Sequence, residues 1–112
     1  MEITRETIEG VIVVTPQGRV DSNSARDVEA VLLPLFDGAE PILVDFGRMN
    51  YISSAGLRVL LLAARRSKAT GLALALSDMS KPVEEVFQIS GFAKLFRIYP
   101  TAAEARAGLK QQ

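Results

Sequence analysis

Short runs of strand-forming residues alternate along this chain with segments of helical periodicity, and that alternation most constrains the fold. Four such runs stand between turn residues: VIVVTPQGRV at 11–20, PILVDFG at 41–47, LALALS at 72–77 and KLFRIY at 94–99. The second and third runs are short, apolar and continuous, which is typical of strands that are buried on both faces, while the last run predicts a short final strand. Pro16 and Gly18 predict a turn or bulge inside the first run, followed by a short continuation. Strands that alternate with helices predict a largely parallel sheet with helical cover.

Four segments with helical spacing begin at residues that cap helices well. The expected caps are Asp21, Ser22 or Asn23 for the first helix, a serine at 53 or 54 for the second, Ser80 for the third and Thr101 for the fourth. Pro34 should end or kink the first helix, and Gly71 should follow the second, predicted over 55–68. Residues 1–6 (MEITRE) would add an edge strand. The predicted fold is an α/β single domain, with a mixed, mostly parallel sheet of four to five strands and about four helices.

Composition excludes several classes of function. The 112 residues fit one domain, 1–112, and cysteine and histidine are absent, which removes disulfides, the Ser-His-Asp triad and imidazole metal ligands. Thirteen basic and thirteen acidic residues cancel, whereas nucleic-acid binders usually carry a basic excess. The N-terminal residues lack the apolar core of a signal peptide, and no apolar run is long enough to span a bilayer. We therefore expect a cytoplasmic protein without nucleic-acid or membrane partners, metal or cofactor.

Two adjacent serines, Ser53 and Ser54, stand in NYISSAG (50–56), where a strand gives way to a helix. Loops at the carboxyl ends of strands form the usual functional edge of an open α/β sheet. A helix N-terminus offers unpaired N–H groups and partial positive charge, which suit a phosphate. The structural alternative is that Ser53 caps the helix and Ser54 only occupies its first turn.

Motifs for catalysis are incomplete in this sequence. A nucleophile elbow needs glycine where Ile52 stands, and no histidine is present as a base. The DFG tripeptide at 45–47 lacks the glycine-rich and catalytic loops of a kinase. Glycine-rich nucleotide motifs are absent as well. We expect no catalytic residue and no enzymatic activity, and any phosphoryl donor would be held by another protein.

Three stretches resemble STAS domains, specifically those of bacterial anti-sigma factor antagonists. The central motif is VDFGRMNYISSAGLRVLLLAARRSKATG at 44–71, preceded by PQGRVDSNSA at 16–25 and followed by VFQISGFAKLFRIYPTAAEA at 86–105. They occur in the family's order, and the likeness covers about the whole chain. The resemblance implies a STAS-like α/β domain.

The resemblance also implies a phosphorylation switch. The family's phosphorylated serine lies two residues before the motif glycine, which is Gly56 here, so it corresponds to Ser54, with Ser53 as second choice. The unmodified protein would bind an anti-sigma factor that is a serine/threonine kinase. That kinase would use its own ATP and Mg²⁺ to phosphorylate Ser54 and so release the protein, and a PP2C-type phosphatase would reset it. The alternative is a non-phosphorylated accessory subunit of a transporter or signalling complex, in which the serine is only a docking hydroxyl.

The predicted partner-binding surface surrounds these serines. It comprises Asp21, Asn23, Ser53, Ser54, Ala55, Gly56 and Arg58. Asp21 would orient Ser54 or meet a partner cation, or else only cap a helix. Gly56 allows either close approach of a partner or tight packing of the helix onto the sheet. Arg58, one turn into the helix, should be exposed, as a partner contact or as an ordinary solvated charge.

Overall fold

The structure is a computed structural model that describes residues 1–110, so the last two residues of the predicted 1–112 domain lie outside the described residues. The strands are β1 (Ile3–Ile8), β2 (Val11–Pro16), β3 (Gly18–Val20), β4 (Ile42–Asp45), β5 (Met49–Ile52), β6 (Leu74–Ser77) and β7 (Arg97–Tyr99). The helices are α1 (Ala25–Leu32), α2 (Ser54–Thr70), α3 (Lys81–Ser90) and α4 (Ala102–Lys110). Short 3₁₀ turns, Leu33–Asp37 and Phe92–Leu95, follow α1 and α3.

Five strands form the main sheet, in the order β1-β2-β4-β6-β7. β1 is antiparallel to β2, and the hairpin between them turns through Glu9 and Gly10, both of which have positive φ, as a two-residue hairpin loop requires. The pairs β2–β4, β4–β6 and β6–β7 are all parallel. The α/β fold class predicted from the sequence, with its mixed and mostly parallel sheet, is confirmed.

The end of the first apolar run does not continue in the main sheet. β3 pairs in parallel with β5 instead, and these two strands form a separate ribbon. Val20 lies opposite Ile52, and the Ser53 N–H donates to the Val20 carbonyl over 2.8 Å. The expected short continuation is therefore a strand of a second sheet, and β5 was not predicted at all. The ribbon brings the residues that follow β3 next to the serines that follow β5.

Helices cover both faces of the main sheet. On one face, α1, α2 and α3 pack over alternate strand residues such as Val14, Val44 and Leu76. On the other face, α4 covers the residues between them: Val11, Val13, Leu43 and Ala75. The strands are apolar on both faces for this reason, which is why their runs are continuous in the sequence.

The longest described helix, α2, has 17 residues and ends at Gly71, whose φ of 80° confirms the predicted left-handed position. Its buried residues are Gly56, Leu57, Val59, Leu60 and Ala63. The line Gly56–Leu60–Ala63 follows helical spacing, so these three residues share the buried side of α2. Within residues 1–110, no helix is both long and apolar enough to cross a membrane.

Three phenylalanines link the carboxyl end of β4 to α3 and β7. The Phe87 ring lies 5.8 Å, centroid to centroid, from both Phe46 and Phe96, at interplanar angles of 76° and 72°. Such edge-to-face pairs are favourable beyond the area they bury. Phe87 is completely buried, so this residue anchors α3 to the sheet.

Phe87→Ala should lower the free energy of unfolding by about 3–5 kcal/mol, because it removes a buried ring and leaves a cavity. Ile89→Ala is the matched control on the same helix. Ile89 is 87% exposed, so its truncation should change stability by less than about 0.5 kcal/mol. Urea unfolding measures the free energy of unfolding of both variants, and Phe87→Leu serves as a milder variant. Equal stabilities of the Phe87 and Ile89 variants would contradict the assigned packing.

Candidate functional site

The two serines at the start of α2 have different structural roles. Ser53 has extended backbone angles, and its Oγ accepts the Gly56 N–H over 3.2 Å. Its carbonyl accepts the Leu57 N–H over 3.0 Å. Ser53 is therefore the N-cap residue of the helix, which is the structural role considered for it from the sequence.

Ser54 is the first residue of α2, and it is exposed. Since Ser53 supplies the cap, the Ser54 hydroxyl is not needed to complete the helix, and it has no hydrogen-bond partner among residues 1–110. The N–H groups of Ser54 and Ala55 belong to the first turn and lack intrahelical acceptors. An accessible hydroxyl thus stands beside free donors and the positive end of a helix dipole, where added negative charge is tolerated.

Asp21 closes the turn between β3 and α1. Its Oδ1 accepts the N–H groups of Asn23 and Ser24, each over 3.0 Å, and the Ser24 hydroxyl lies 3.1 Å away. The Ser24 N–H and hydroxyl hold the pKa of the Asp21 carboxyl below its ordinary value of 3.8, and the charge of Arg19 lowers it further. Asp21 therefore stays ionised at neutral pH. Its hydrogen bonds close the turn that precedes α1, whereas the N-cap residue of that helix is Ser24, so the predicted cap at Asp21, Ser22 or Asn23 is wrong by at least one residue.

Parallel pairing in the ribbon brings the predicted residues together. Asp21 follows Val20 and Ser53 follows Ile52, and these two strand residues are register partners. We call the surface formed by residues 21–23 and 53–54 the serine edge. Asn23 and Ser54 are exposed on it, whereas Asp21 and Ser53 are half-buried.

The three remaining predicted residues of α2 differ in exposure. Arg58 is exposed, Ala55 is half-buried against the core, and Gly56 is buried. A Cβ atom on Gly56 would lie 2.7 Å from Cγ1 of Ile52 and 2.9 Å from Cγ1 of Val20. These contacts support the packing alternative for Gly56, because its missing side chain lets α2 rest on the ribbon.

Arg19 and Tyr51 were not singled out from the sequence, yet they adjoin the serine edge. They are register partners in the ribbon, with the Arg19 Cζ 4.1 Å from the centroid of the Tyr51 ring. Both side chains are exposed. Strand alternation would have assigned them to the outward face, opposite Val20 and Ile52, but only after β5 had been recognised as a strand.

A polar cleft of about 620 Å³ lies at the carboxyl ends of the main-sheet strands, away from the serines. It is lined by Glu2, Thr4, Glu6, Thr15, Gln17, Asp45, Gly47, Arg48 and Asp78. Two of its carboxylates are already engaged: Asp45 accepts the Gly47 N–H over 2.8 Å, and Asp78 accepts the Ser77 hydroxyl over 2.7 Å. Among residues 1–110, no three metal-ligating side chains are grouped to hold a metal ion.

Comparison with known proteins gives one family. Residues 2–105 match the family described as STAS domain. A Bordetella bronchiseptica protein, provisionally named anti-sigma factor antagonist BtrV, is 39% identical over 111 residues, which cover 98% of this chain and 96% of that protein.

Solved structures show the same fold at lower identity. A protein from Thermotoga maritima, provisionally described as an anti-sigma factor antagonist, gives a TM-score of 0.89 at 19% identity, covering 96% of this chain and 94% of its own. The anti-sigma factor antagonist SpoIIAA in its unphosphorylated form gives a TM-score of 0.81 at 24% identity, and the match covers 99% of this chain and 98% of that one. SpoIIAA of Bacillus in its phosphorylated form gives a TM-score of 0.74 at 22% identity, and the match covers 96% of this chain and 99% of that one.

Asp21→Asn should destabilise the protein at neutral pH, because the amide keeps the acceptor oxygen but loses the charge that the Ser24 donors favour. Because the pKa of Asp21 is lower in the folded protein than its ordinary value of 3.8, its ionised carboxylate stabilises the folded state at pH values above 3.8. This stabilisation is lost as the pH falls through the pKa of the folded state. The difference in the free energy of unfolding between the variant and the wild type should therefore become smaller in acid. Urea unfolding across pH measures it, with Asp37→Asn as control for one lost charge. A difference that widens in acid would contradict the assignment.

Gly56→Ala should lower the free energy of unfolding by about 1–3 kcal/mol, because its Cβ would press into Ile52 and Val20. Gly38→Ala is the control. Its Cβ would meet only the Leu35 carbonyl oxygen, at 3.4 Å, and its backbone has a φ of −90°, so the change should be within about 0.5 kcal/mol. Chemical denaturation compares the two. A neutral Gly56→Ala would show that α2 does not rest on the ribbon as described.

Proposed function

The chain belongs to the STAS domain family, and from this premise we propose that it is an anti-sigma factor antagonist controlled by phosphorylation of Ser54. One observation carries the proposal: Ser54 is exposed at the start of α2, while Ser53 alone caps the helix. A kinase can therefore reach and modify Ser54 without disturbing the fold. The named relatives support the class of function, since the provisional name of the Bordetella protein is that of an anti-sigma factor antagonist.

The partner is an anti-sigma factor that is also a serine/threonine kinase. This partner supplies ATP, Mg²⁺ and the catalytic groups, since the chain has no histidine base and no nucleotide-binding motif. The protein itself acts as the kinase's ligand and substrate, not as an enzyme. A PP2C-type phosphatase removes the phosphate, and the cycle takes place in the cytoplasm. The unmodified form holds the anti-sigma factor, which frees the sigma factor or another client.

Phosphorylation changes the interface far more than it changes this protein. The modification adds roughly 1.5 to 2 negative charges. Within this protein the phosphate stands beside the N–H groups that open α2, so folding is little affected. The similarity of this fold to SpoIIAA in both its unphosphorylated and phosphorylated forms is consistent with that view.

In the complex the same charge is strongly unfavourable. The hydroxyl has to approach the γ-phosphate of the kinase's ATP for transfer, so the phosphoserine is formed against the phosphates of the remaining nucleotide. A desolvated dianion without a compensating partner costs several kcal/mol. A loss of about 4 kcal/mol weakens binding roughly a thousandfold. The modified protein then dissociates without any change of fold.

Ser54→Ala should bind the kinase normally but should not be released by ATP, because it has no hydroxyl to accept the phosphoryl group. Ser54→Asp should bind the kinase poorly, because it places a charge at the same position. Calorimetry measures the affinity of each variant, and size-exclusion chromatography with and without ATP measures its release. Both experiments use each purified serine-kinase anti-sigma factor that is encoded in the source genome. Wild-type affinity of Ser54→Asp would count against electrostatic release.

Ser53→Ala is the matched control for the neighbouring hydroxyl. It removes the N-cap and should destabilise the protein by about 1 kcal/mol, yet ATP and kinase should still add one phosphoryl group. Tandem mass spectrometry should locate that group on Ser54. If the kinase binds the wild-type protein but transfers no phosphoryl group to either serine, a docking role for the hydroxyl is favoured instead, as in an accessory subunit.

A further inference from the structure

We propose that the outward face of the β3–β5 ribbon, where Arg19 stacks on Tyr51, is a docking surface that selects the kinase partner. It fits a kinase surface that presents a carboxylate to Arg19 and an apolar contact to the Tyr51 ring. This inference rests on the proposed function and extends it, because neither residue receives or contacts the phosphate in that proposal.

The outward face of the ribbon adjoins the serine edge, and a partner that binds Ser54 needs more contact area than the serine edge supplies. A stable interface of standard size covers roughly 800 Å² of each partner, and one exposed serine side chain supplies only a small fraction of that area. A partner centred on Ser54 therefore has to cover the adjoining surface. Tyr51 precedes Ser54 by three residues, and Arg19 precedes Asp21 by two, so the ribbon face is continuous with the serine edge.

The Arg19–Tyr51 stack has the properties of an interface anchor. The Arg19 Cζ lies 4.1 Å from the ring centroid, within the range of a cation–π interaction. Tyr51 is 41% exposed although it belongs to a strand, so a large part of its ring remains available. Arginine and tyrosine are enriched among residues that dominate binding energy, and two side chains already held against each other lose less freedom on docking.

The charges of this face define the chemistry of its partner. The Arg19 guanidinium lies over the Tyr51 ring and is exposed, so its N–H donors can meet a carboxylate of the partner. Asp21 follows Arg19 by two residues, so this face carries a positive charge with a negative charge at its border to the serine edge. A partner with a carboxylate opposite Arg19 and a cation opposite Asp21 is complementary, and a partner with the reverse order is repelled.

The test compares ribbon variants with wild-type protein for binding to the purified kinase that the wild type recognises. Tyr51→Ala and Arg19→Ala should each weaken binding at least tenfold, and Arg19→Glu should weaken it further because it faces the partner's carboxylate. Tyr51→Phe keeps the ring and should bind like the wild type. In phosphorylation assays KM should rise while kcat stays unchanged, since neither side chain touches the reacting atoms.

Ile89→Ala is the control for the loss of an exposed apolar side chain, since Ile89 is exposed on α3 and should not affect binding. Unchanged urea midpoints for the ribbon variants would exclude misfolding as the cause. If the wild type binds and is phosphorylated but Arg19→Glu and Tyr51→Ala match it, this inference is wrong and the proposed function stands. If no kinase binds or modifies the wild type, the proposed function fails and the inference fails with it.

Discussion

The parallel pairing of β3 with β5 is the interaction on which the site depends. These two short strands lie outside the main sheet, and their pairing places the residues after Val20 beside those after Ile52. Gly56 completes the arrangement, because the absence of a side chain lets α2 rest directly on both strand residues. The start of α2 is thereby fixed in place, and Ser54 is presented to solvent on a rigid support.

Two adjacent hydroxyls at that helix start serve different purposes. Ser53 satisfies a backbone N–H of the first turn, so the helix does not depend on Ser54. A residue without a structural duty can gain or lose a phosphate at little cost to folding, whereas the same charge at a packed interface is costly. In the proposed function, the separation of these two roles lets a single modification control binding while the domain itself stays folded.

Much of the fold was predictable from local patterns. The continuous apolar runs indicated strands with helices on both sides, and Ser80, Thr101 and Gly71 marked helix ends where the structure has them. β5 was missed because its four residues include the exposed Asn50 and Tyr51, and its pairing with β3 joins segments that are distant in sequence. The exposed position of Ser54 agrees with the interpretation of the SSAG motif, but the Arg19–Tyr51 stack required the register of the ribbon.

The central claim is that charge on Ser54 determines whether the anti-sigma factor stays bound. The most direct measurement is the dissociation constant of the kinase, in the presence of ADP, for wild-type protein before and after complete phosphorylation of Ser54. The account predicts that affinity falls roughly a thousandfold, equivalent to about 4 kcal/mol, while the circular dichroism spectrum is unchanged. Equal affinities for the two forms would contradict it.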